Sequence, residues 1–315
     1  MENWMKFFDL QVNGYAGIDF NGDDIPEGVA LDTMCSRLTE HGVEGILATI
    51  ITDSLPVMEA RLERLASLHD RSPSFRRIVR GFHIEGPFIS PIDGYRGAHP
   101  ADAIRTADLL AMERLLDAAH GLTRLVTLAP EQDPGFHLTR MLVRKGIVVS
   151  AGHTNASLED LKGAIGEGLT MFTHLGNGCP GSMPRHDNIV QRVLSLRDQL
   201  WLCFIADGVH IPFFVLKNYL DLAGLEKSII VTDAIVAAGL GPGRYRFGRW
   251  DLSVGNDLVA RAPGANHLLG STVTMEASYR NLTEELGLSD AEAHKLLTEN
   301  PRAAFAHSGL ELAIP

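Results

Sequence analysis

Four side chains carry the chemistry that this sequence suggests first: Glu85, His153, His174 and Asp233. Each stands at the end of a short apolar run. Glu85 closes Gly-Phe-His-Ile-Glu, His153 follows Val-Val-Ser-Ala-Gly, His174 ends Met-Phe-Thr-His, and Asp233 follows Ile-Ile-Val-Thr. A carboxylate and two imidazoles with a fourth position open form the ligand set of a catalytic Zn²⁺ or similar divalent ion. Such an ion lowers the pKa of a bound water from ~15.7 toward ~7, which yields hydroxide near neutral pH. A carboxylate at the end of a buried strand is costly to desolvate without a partner. Asp233 therefore reads as a general base that takes a proton from that water and returns it to a leaving group. Taken singly, each residue also has a bland reading: a strand-end histidine satisfied in the core, a carboxylate beside a cation, a helix N-cap. Their joint position at the same end of several strands favours a site.

The elements that must position these residues are βα units. Strands are expected at Phe7–Asn13, Gly45–Thr52, Ile78–Glu85, Arg124–Ala129, Ile147–Gly152, Met171–His174, Trp201–Ala206 and Ser228–Thr232. Most are continuous in Val, Ile, Leu and Phe, as parallel strands buried on both faces should be. Helix-period stretches lie between them at Leu31–Glu40, Val57–Leu68, Ala107–Ala119, Leu158–Glu167 and Phe213–Ala223. Ser157, with Asp160 three residues on, resembles a capping box. Residues Gly239–Asn266, rich in Gly, Pro and turn residues, are expected to form an excursion with a hairpin. Ser271–Leu286 and Ser289–Ala306 read as closing helices. Eight such strands in 315 residues predict one α/β domain, a (β/α)₈ TIM-like barrel spanning 1–315, with its active site at the C-terminal strand ends. Gln11, Asn13, Thr52, Asp53, His83, Glu131, Asp207 and His210 fall at those same ends.

Composition narrows the partners. With 45% hydrophobic and 21% charged residues, the chain has material for a large core and is neither disordered nor collagen-like. A net charge of −11 offers no field for nucleic acid or an anionic membrane, so a small molecule is the expected partner. Three separated cysteines, Cys35, Cys179 and Cys203, suit a reduced, cytoplasmic compartment. The N-terminus has no secretory signal pattern and no run is long enough to span a membrane.

Several segments now become recognisable in order: Asp-Leu-Gln-Val-Asn-Gly (9–14), Gly-Phe-His-Ile-Glu-Gly-Pro-Phe (81–88), Gly-Ala-His-Pro (97–100) and Ser-Ala-Gly-His-Thr-Asn-Ala (150–156). They continue with Phe-Thr-His-Leu-Gly-Asn (172–177), Ala-Asp-Gly-Val-His (206–210), Val-Thr-Asp-Ala (231–234) and Leu-Gly-Ser-Thr-Val-Thr-Met (269–275). From about residue 9 to 305 the chain resembles the N-acetylglucosamine-6-phosphate deacetylases of the amidohydrolase superfamily. The resemblance implies a metal-dependent amidohydrolase barrel that deacetylates N-acetylglucosamine 6-phosphate, or a related amino sugar phosphate, to the free amine and acetate. It implies that Glu85, His153 and His174 hold one divalent metal, Zn²⁺ first and Fe²⁺, Co²⁺ or Mn²⁺ as alternatives, with Asp233 as acid and base. It also implies that His99 touches a sugar hydroxyl, and that His210, Arg185 and the Asn177–Gly178 backbone receive the phosphate. Guanidinium forks, imidazoles and backbone N–H groups are what phosphate requires. Arg96 and Arg192 are competing cations nearby in sequence.

Three departures qualify the resemblance. Gln11-Val12-Asn13 stands where many amidohydrolases carry His-x-His, and amides are poor zinc ligands, so a single metal is expected, with Gln11 and Asn13 as strand-one contacts. Gly176-Asn177-Gly178-Cys179-Pro180 replaces the family's bulkier loop. The segments before the first strand and after the closing helix are short, so a single barrel without the family's small β-sandwich is expected. Another amide or cyclic-amide hydrolase on the same scaffold, or a catalytically silent sugar-phosphate binding protein, are the alternatives. Trp4, Met5, Phe7 and Phe8 read as an exposed apolar cluster, and with the family's frequent dimerisation they lead to the expectation of a homodimer.

Overall fold

The computed structural model describes residues 6–261 and 268–306. Eight strands, β1 (Phe7–Val12), β2 (Val43–Ile51), β3 (Val79–Glu85), β4 (Thr123–Leu128), β5 (Val148–Ala151), β6 (Met171–Phe172), β7 (Trp201–Ile205) and β8 (Ser228–Val231), pair in chain order. Every pairing in this sheet is parallel. A parallel bridge from Val12 to Ala234 brings the last strand back to the first, and Asn13 N donates to Ala234 O at 2.7 Å. The expected barrel is therefore present, and all eight strands fall where the apolar runs placed them, within a few residues.

Both strand faces are buried because two apolar layers flank the sheet. Inside the barrel, Phe8, Leu10, Leu47, Leu125, Met171 and Ile205 form one cluster with Phe305 of the C-terminal segment. Outside it, Phe7, Ile46, Phe82 and Val126 pack with apolar helix residues such as Leu62, Leu65, Met112 and Leu115. Between the interior cluster and the rim lies a buried polar layer. His83 Nε2 meets Thr127 Oγ1 at 2.7 Å, and Thr127 Oγ1 meets Thr173 Oγ1 at 2.8 Å. Ser150 Oγ joins Thr173 Oγ1 at 2.7 Å. These contacts satisfy groups that would otherwise be costly to bury.

The helices α1 (Val29–Glu40), α2 (Leu55–Arg71), α3 (Pro73–Ile78), α4 (Leu109–Ala118), α5 (His137–Arg144), α6 (Leu158–Gly166), α7 (Ile189–Leu194) and α8 (Phe213–Ala223) follow. The Ser157–Asp160 capping box is formed at the start of α6. After β8 the expected hairpin appears as β9 (Gly243–Phe247) and β10 (Trp250–Val254), antiparallel and joined by Gly248-Arg249, with a third strand β11 (Ala260–Arg261) beside β10. Helical segments from Met275 to Ala303 complete the described chain.

One expectation needs correcting. Phe7 and Phe8 are 0% and 1% exposed, because they alternate between the outer and inner layers of β1. They form no surface patch. Trp4 and Met5 lie outside the described residues, so the patch from which a dimer was expected has no support among the described residues. No helix of the described chain is long and apolar enough to cross a membrane.

Candidate active site

Glu85 is the last residue of β3. His153, His174 and Asp233 each lie two residues beyond the ends of β5, β6 and β8. All three adopt left-handed backbone, with φ of 49°, 33° and 52°. Such geometry in residues other than glycine costs on the order of 1–3 kcal/mol and persists only where the surroundings enforce it. The same local turn recurs at three places on one rim, and each time it bends a polar side chain inward. It also explains why β6 stops at Phe172 rather than at the expected His174.

The side chains converge. Glu85 Oε1 lies 3.1 Å from His174 Nε2 and 3.3 Å from His153 Nε2. Gln11 Nε2 donates to both Glu85 oxygens, at 3.2 and 3.1 Å, from below. His153 Nδ1 meets the Tyr95 carbonyl at 2.9 Å, which leaves Nε2 for the centre. Cβ atoms added at Gly97 or Gly178 would come within 3.0 or 2.9 Å of the His153 ring. Both glycines have positive φ, 56° and 58°, so the ring is held by backbone that admits no side chain. His99 packs edge-on against His153 with centroids 4.3 Å apart, and its Nδ1 meets Thr52 Oγ1 at 2.8 Å. Glu85, His99 and His153 offer ligand atoms all within 4.8 Å of one another. That trio differs from the expected one by exchanging His174 for His99, so four donors surround the centre.

Electrostatics follow from burial and these contacts. Burial alone would push the Glu85 carboxyl up, but hydrogen bonds and charge from His153 and His174 outweigh it and hold it well below its usual range. Burial lowers His174, yet Glu85 outweighs that and the net shift is upward. Burial, with His153 beside it, pushes His99 down to about 3, which keeps that imidazole neutral. Burial and the charge of Glu85 push Asp233 up to about 6. Asn13 Nδ2 donates to Asp233 Oδ1 at 2.6 Å, so Oδ2 is the oxygen left for reaction.

The donor set suits a divalent ion. Imidazoles and one carboxylate converge in a buried space, and the spacing of the two Glu85–imidazole pairs is close to the ~3.4 Å kept by ligands 2.0–2.2 Å from one tetrahedral ion. The Asn13 Oδ1 atom beside Asp233 is buried without a hydrogen-bond partner, which leaves an acceptor at this rim for a further group.

These residues floor a cleft of about 620 Å³ whose lining includes Asn13, His99, His210, Asn177 and Gly178. Asp207 fixes His210: its Oδ2 lies 2.6 Å from His210 Nδ1, and its Oδ1 accepts the backbone N–H groups of Val209 and His210. Arg185 is exposed and stands outside the lining. Of the competing cations, Arg96 lines the cleft and pairs with Asp93, whereas Arg192 is tied to Asp187 and the Ala156 carbonyl. The remaining rim groups serve structure. His83 lies in the polar layer below, lowered to about 4 by burial; Glu131 holds Thr154 and Asn155 N; Asp53 pairs with Arg61 and Arg249. Sequence reasoning missed the Tyr95 carbonyl and Phe247, and gave no role to Gly97 and Leu269, although both lie in the recognised segments 97–100 and 269–275. The only signal for Phe247 was that the turn-rich excursion leaves the rim immediately after Asp233.

A parallel barrel with a buried carboxylate–imidazole centre at its C-terminal rim and an isolated carboxylate beside it defines a barrel hydrolase of the amidohydrolase type. No family model matches the chain. It is 34% identical to the N-acetylglucosamine-6-phosphate deacetylase of Bos taurus, over 94% of this chain and 72% of that protein. It is 29% identical to the N-acetylgalactosamine-6-phosphate deacetylase of Escherichia coli O157:H7, over 96% of this chain and 78% of that one. Among solved structures, a mutant N-acetyl-D-glucosamine-6-phosphate deacetylase from Mycobacterium smegmatis in complex with N-acetyl-D-glucosamine-6-phosphate superposes with a TM-score of 0.84 at 29% identity, covering 95% of this chain and 77% of that one. The chain belongs to the N-acetylglucosamine-6-phosphate deacetylase family.

Proposed function

We propose that this chain hydrolyses the acetyl amide of N-acetylglucosamine 6-phosphate, or of a closely related N-acetyl amino sugar phosphate, to the free amine and acetate. The observation that carries the reading is the pairing in one cleft of the Glu85–His153–His174 centre with Asp233, whose Oδ1 is held by Asn13 and whose Oδ2 is free. A divalent ion held by Glu85, His153 and His174, zinc in this reading, would supply a Lewis acid and lower the pKa of a nearby water. Asp233 Oδ2 takes the proton of the attacking water and delivers it to the departing amine nitrogen. Gln11 keeps the Glu85 carboxylate oriented, and the Tyr95 carbonyl keeps His153 in the tautomer that presents Nε2. His99, its Nδ1 held by Thr52, presents its other nitrogen to a sugar hydroxyl. His210, the Gly178 N–H and the unpartnered Asn177 Nδ2 receive the phosphate, because the Asn177 N–H expected there is already donated to His174 O at 2.9 Å. The names of the family members support this substrate class.

The test is acetate release from N-acetylglucosamine 6-phosphate and N-acetylgalactosamine 6-phosphate, with metal analysis of each protein. Wild type releases acetate and copurifies with metal. Asp233→Asn keeps the metal and loses ~10²–10⁴-fold in turnover, while Glu85→Ala loses the metal itself. Absence of acetate release from either sugar, or full metal occupancy in Glu85→Ala, would overturn the reading.

A further inference from the structure

The cleft is lined by two unlike kinds of residue. Arg96, His99, His210 and the glycine-rich 176–181 segment offer polar groups, whereas Ile51, Ala98, Phe247 and Leu269 pack together in one cluster as an apolar wall. The apolar wall stands beside the reacting groups. Ile51 is the registered neighbour of Glu85 across the β2–β3 ladder. Leu269 leads into Gly270, where an added Cβ would come within 2.9 Å of the Asp233 carbonyl, and Ser271 N donates to that carbonyl at 2.9 Å. Phe247 arrives from the hairpin. It is 4% exposed and belongs with Ile51, Ile235 and Leu269 to one buried cluster. Its ring stacks on Trp250 across the turn, with centroids 6.0 Å apart and planes at 28°.

The side chains of Ile51, Phe247 and Leu269 have no polar atom with which to hold a sugar hydroxyl or a phosphate. An N-acylated amino sugar phosphate has only one wholly apolar part, the alkyl end of its acyl group, and it sits one bond from the carbon that is attacked. Resting on the function proposed above, we propose that Phe247, with Ile51 and Leu269, closes an acyl pocket that restricts the scissile amide to a short acyl group such as acetyl. A longer acyl chain would have to displace side chains already packed in a buried cluster, and close-packed apolar groups yield poorly to added methylenes. The hairpin is thus a specificity element, contributed by a segment that lies outside the eight βα units.

The experiment compares kcat/KM for N-acetyl-, N-propionyl- and N-butyryl-glucosamine 6-phosphate in wild type, Phe247→Ala and Phe247→Leu, with melting temperature and metal content of each. Wild type should lose ~10-fold or more per added methylene, the usual discrimination of an apolar pocket. Phe247→Ala should narrow the acetyl-to-butyryl ratio by ~10-fold or more. Phe247→Leu, which keeps the cluster nearly filled and guards against a folding failure of the alanine variant, should narrow it by a smaller factor in the same direction. An unchanged ratio in the metal-loaded, folded variants, or equal use of acetyl and butyryl by wild type, overturns the acyl pocket and leaves the deacetylase reading standing. Failure of wild type to hydrolyse any of the three removes that reading and the acyl pocket with it.

Discussion

At Asp9 burial penalises a carboxylate more than its hydrogen bonds favour it. The group is wholly buried in β1 beneath the rim, and burial pushes its pKa up to about 7 from the usual 3.8. Its Oδ1 accepts from Gln11 N and Thr232 N, both at 3.2 Å, and Oδ2 meets Thr232 Oγ1 at 2.5 Å. These contacts join the first strand to the last, so Asp9 is part of the barrel's closure. A carboxyl whose folded pKa lies above its unfolded one binds its proton more tightly when folded. Its contribution to stability is complete below about pH 4 and is lost as pH rises through about 7. Asp9→Asn mimics the protonated form. Relative to wild type, that variant should gain stability steadily between pH 5 and 7.5, and the two melting curves should draw together toward pH 4. A difference in melting temperature that does not change with pH would mean that Asp9 stays ionised in the folded chain.

At the scale of elements, the hairpin adds a polar clasp to the apolar face that Phe247, Leu252 and Val254 bury. Arg249, in its turn, pairs with Asp53 and Asp102, and Gly248 N donates to Asp19 Oδ2 at 2.6 Å. Asp53 is buried and shared with Arg61 at 3.1 Å, so Arg249→Met leaves that carboxylate one partner short, at a cost of roughly 1–3 kcal/mol. The loss falls on the hairpin because the barrel ladders are untouched. Amide exchange across 243–254 should accelerate in Arg249→Met while β1 to β5 keep their protection, and the acetyl-to-butyryl ratio should narrow as Phe247 loosens. Unaltered exchange in the hairpin would show that the clasp carries no weight. The elements themselves were unevenly legible in sequence. The eight strands could be read because two-sided burial demands near-continuous apolar runs, and α6 because its capping box is local. Helices α3, α5 and α7, of 6, 8 and 6 residues, are too short to establish a helical period. Glu85, His153, His174 and Asp233 were legible as polar residues that end apolar runs. The left-handed turns of His153, His174 and Asp233, and the return of Phe247 over the rim, depend on contacts between segments far apart in the chain.

For the whole molecule the question is how a chain of net charge −11 takes up a phosphate dianion. Its overall field opposes the approach, and at about 0.15 M salt that field is screened beyond ~8 Å. Affinity must therefore come from donors inside the cleft. In the proposed reading His210 is the best placed, because Asp207 fixes its Nδ1 and leaves Nε2 for a ligand, while Gly178 adds a backbone N–H and Asn177 its unpartnered side-chain Nδ2. Arg185 is exposed, where a guanidinium is solvated and its pairing is weak. A hydrogen bond to a charged group is worth ~1.5–3 kcal/mol, roughly 10- to 100-fold. His210→Ala should lose that factor in kcat/KM for N-acetylglucosamine 6-phosphate and change little for unphosphorylated N-acetylglucosamine, because the proposed contact would lie at the far end of the sugar from the amide. Arg185→Ala should cost less than His210→Ala on the phosphorylated substrate. The preference of wild type for the phosphorylated sugar should survive at 0.15 M salt, since contacts inside the cleft are screened far less than the field outside it. Equal losses on both sugars in His210→Ala would place this imidazole against the sugar ring or the amide, and a wild type indifferent to phosphate would mean that the cleft binds a neutral acetylated sugar.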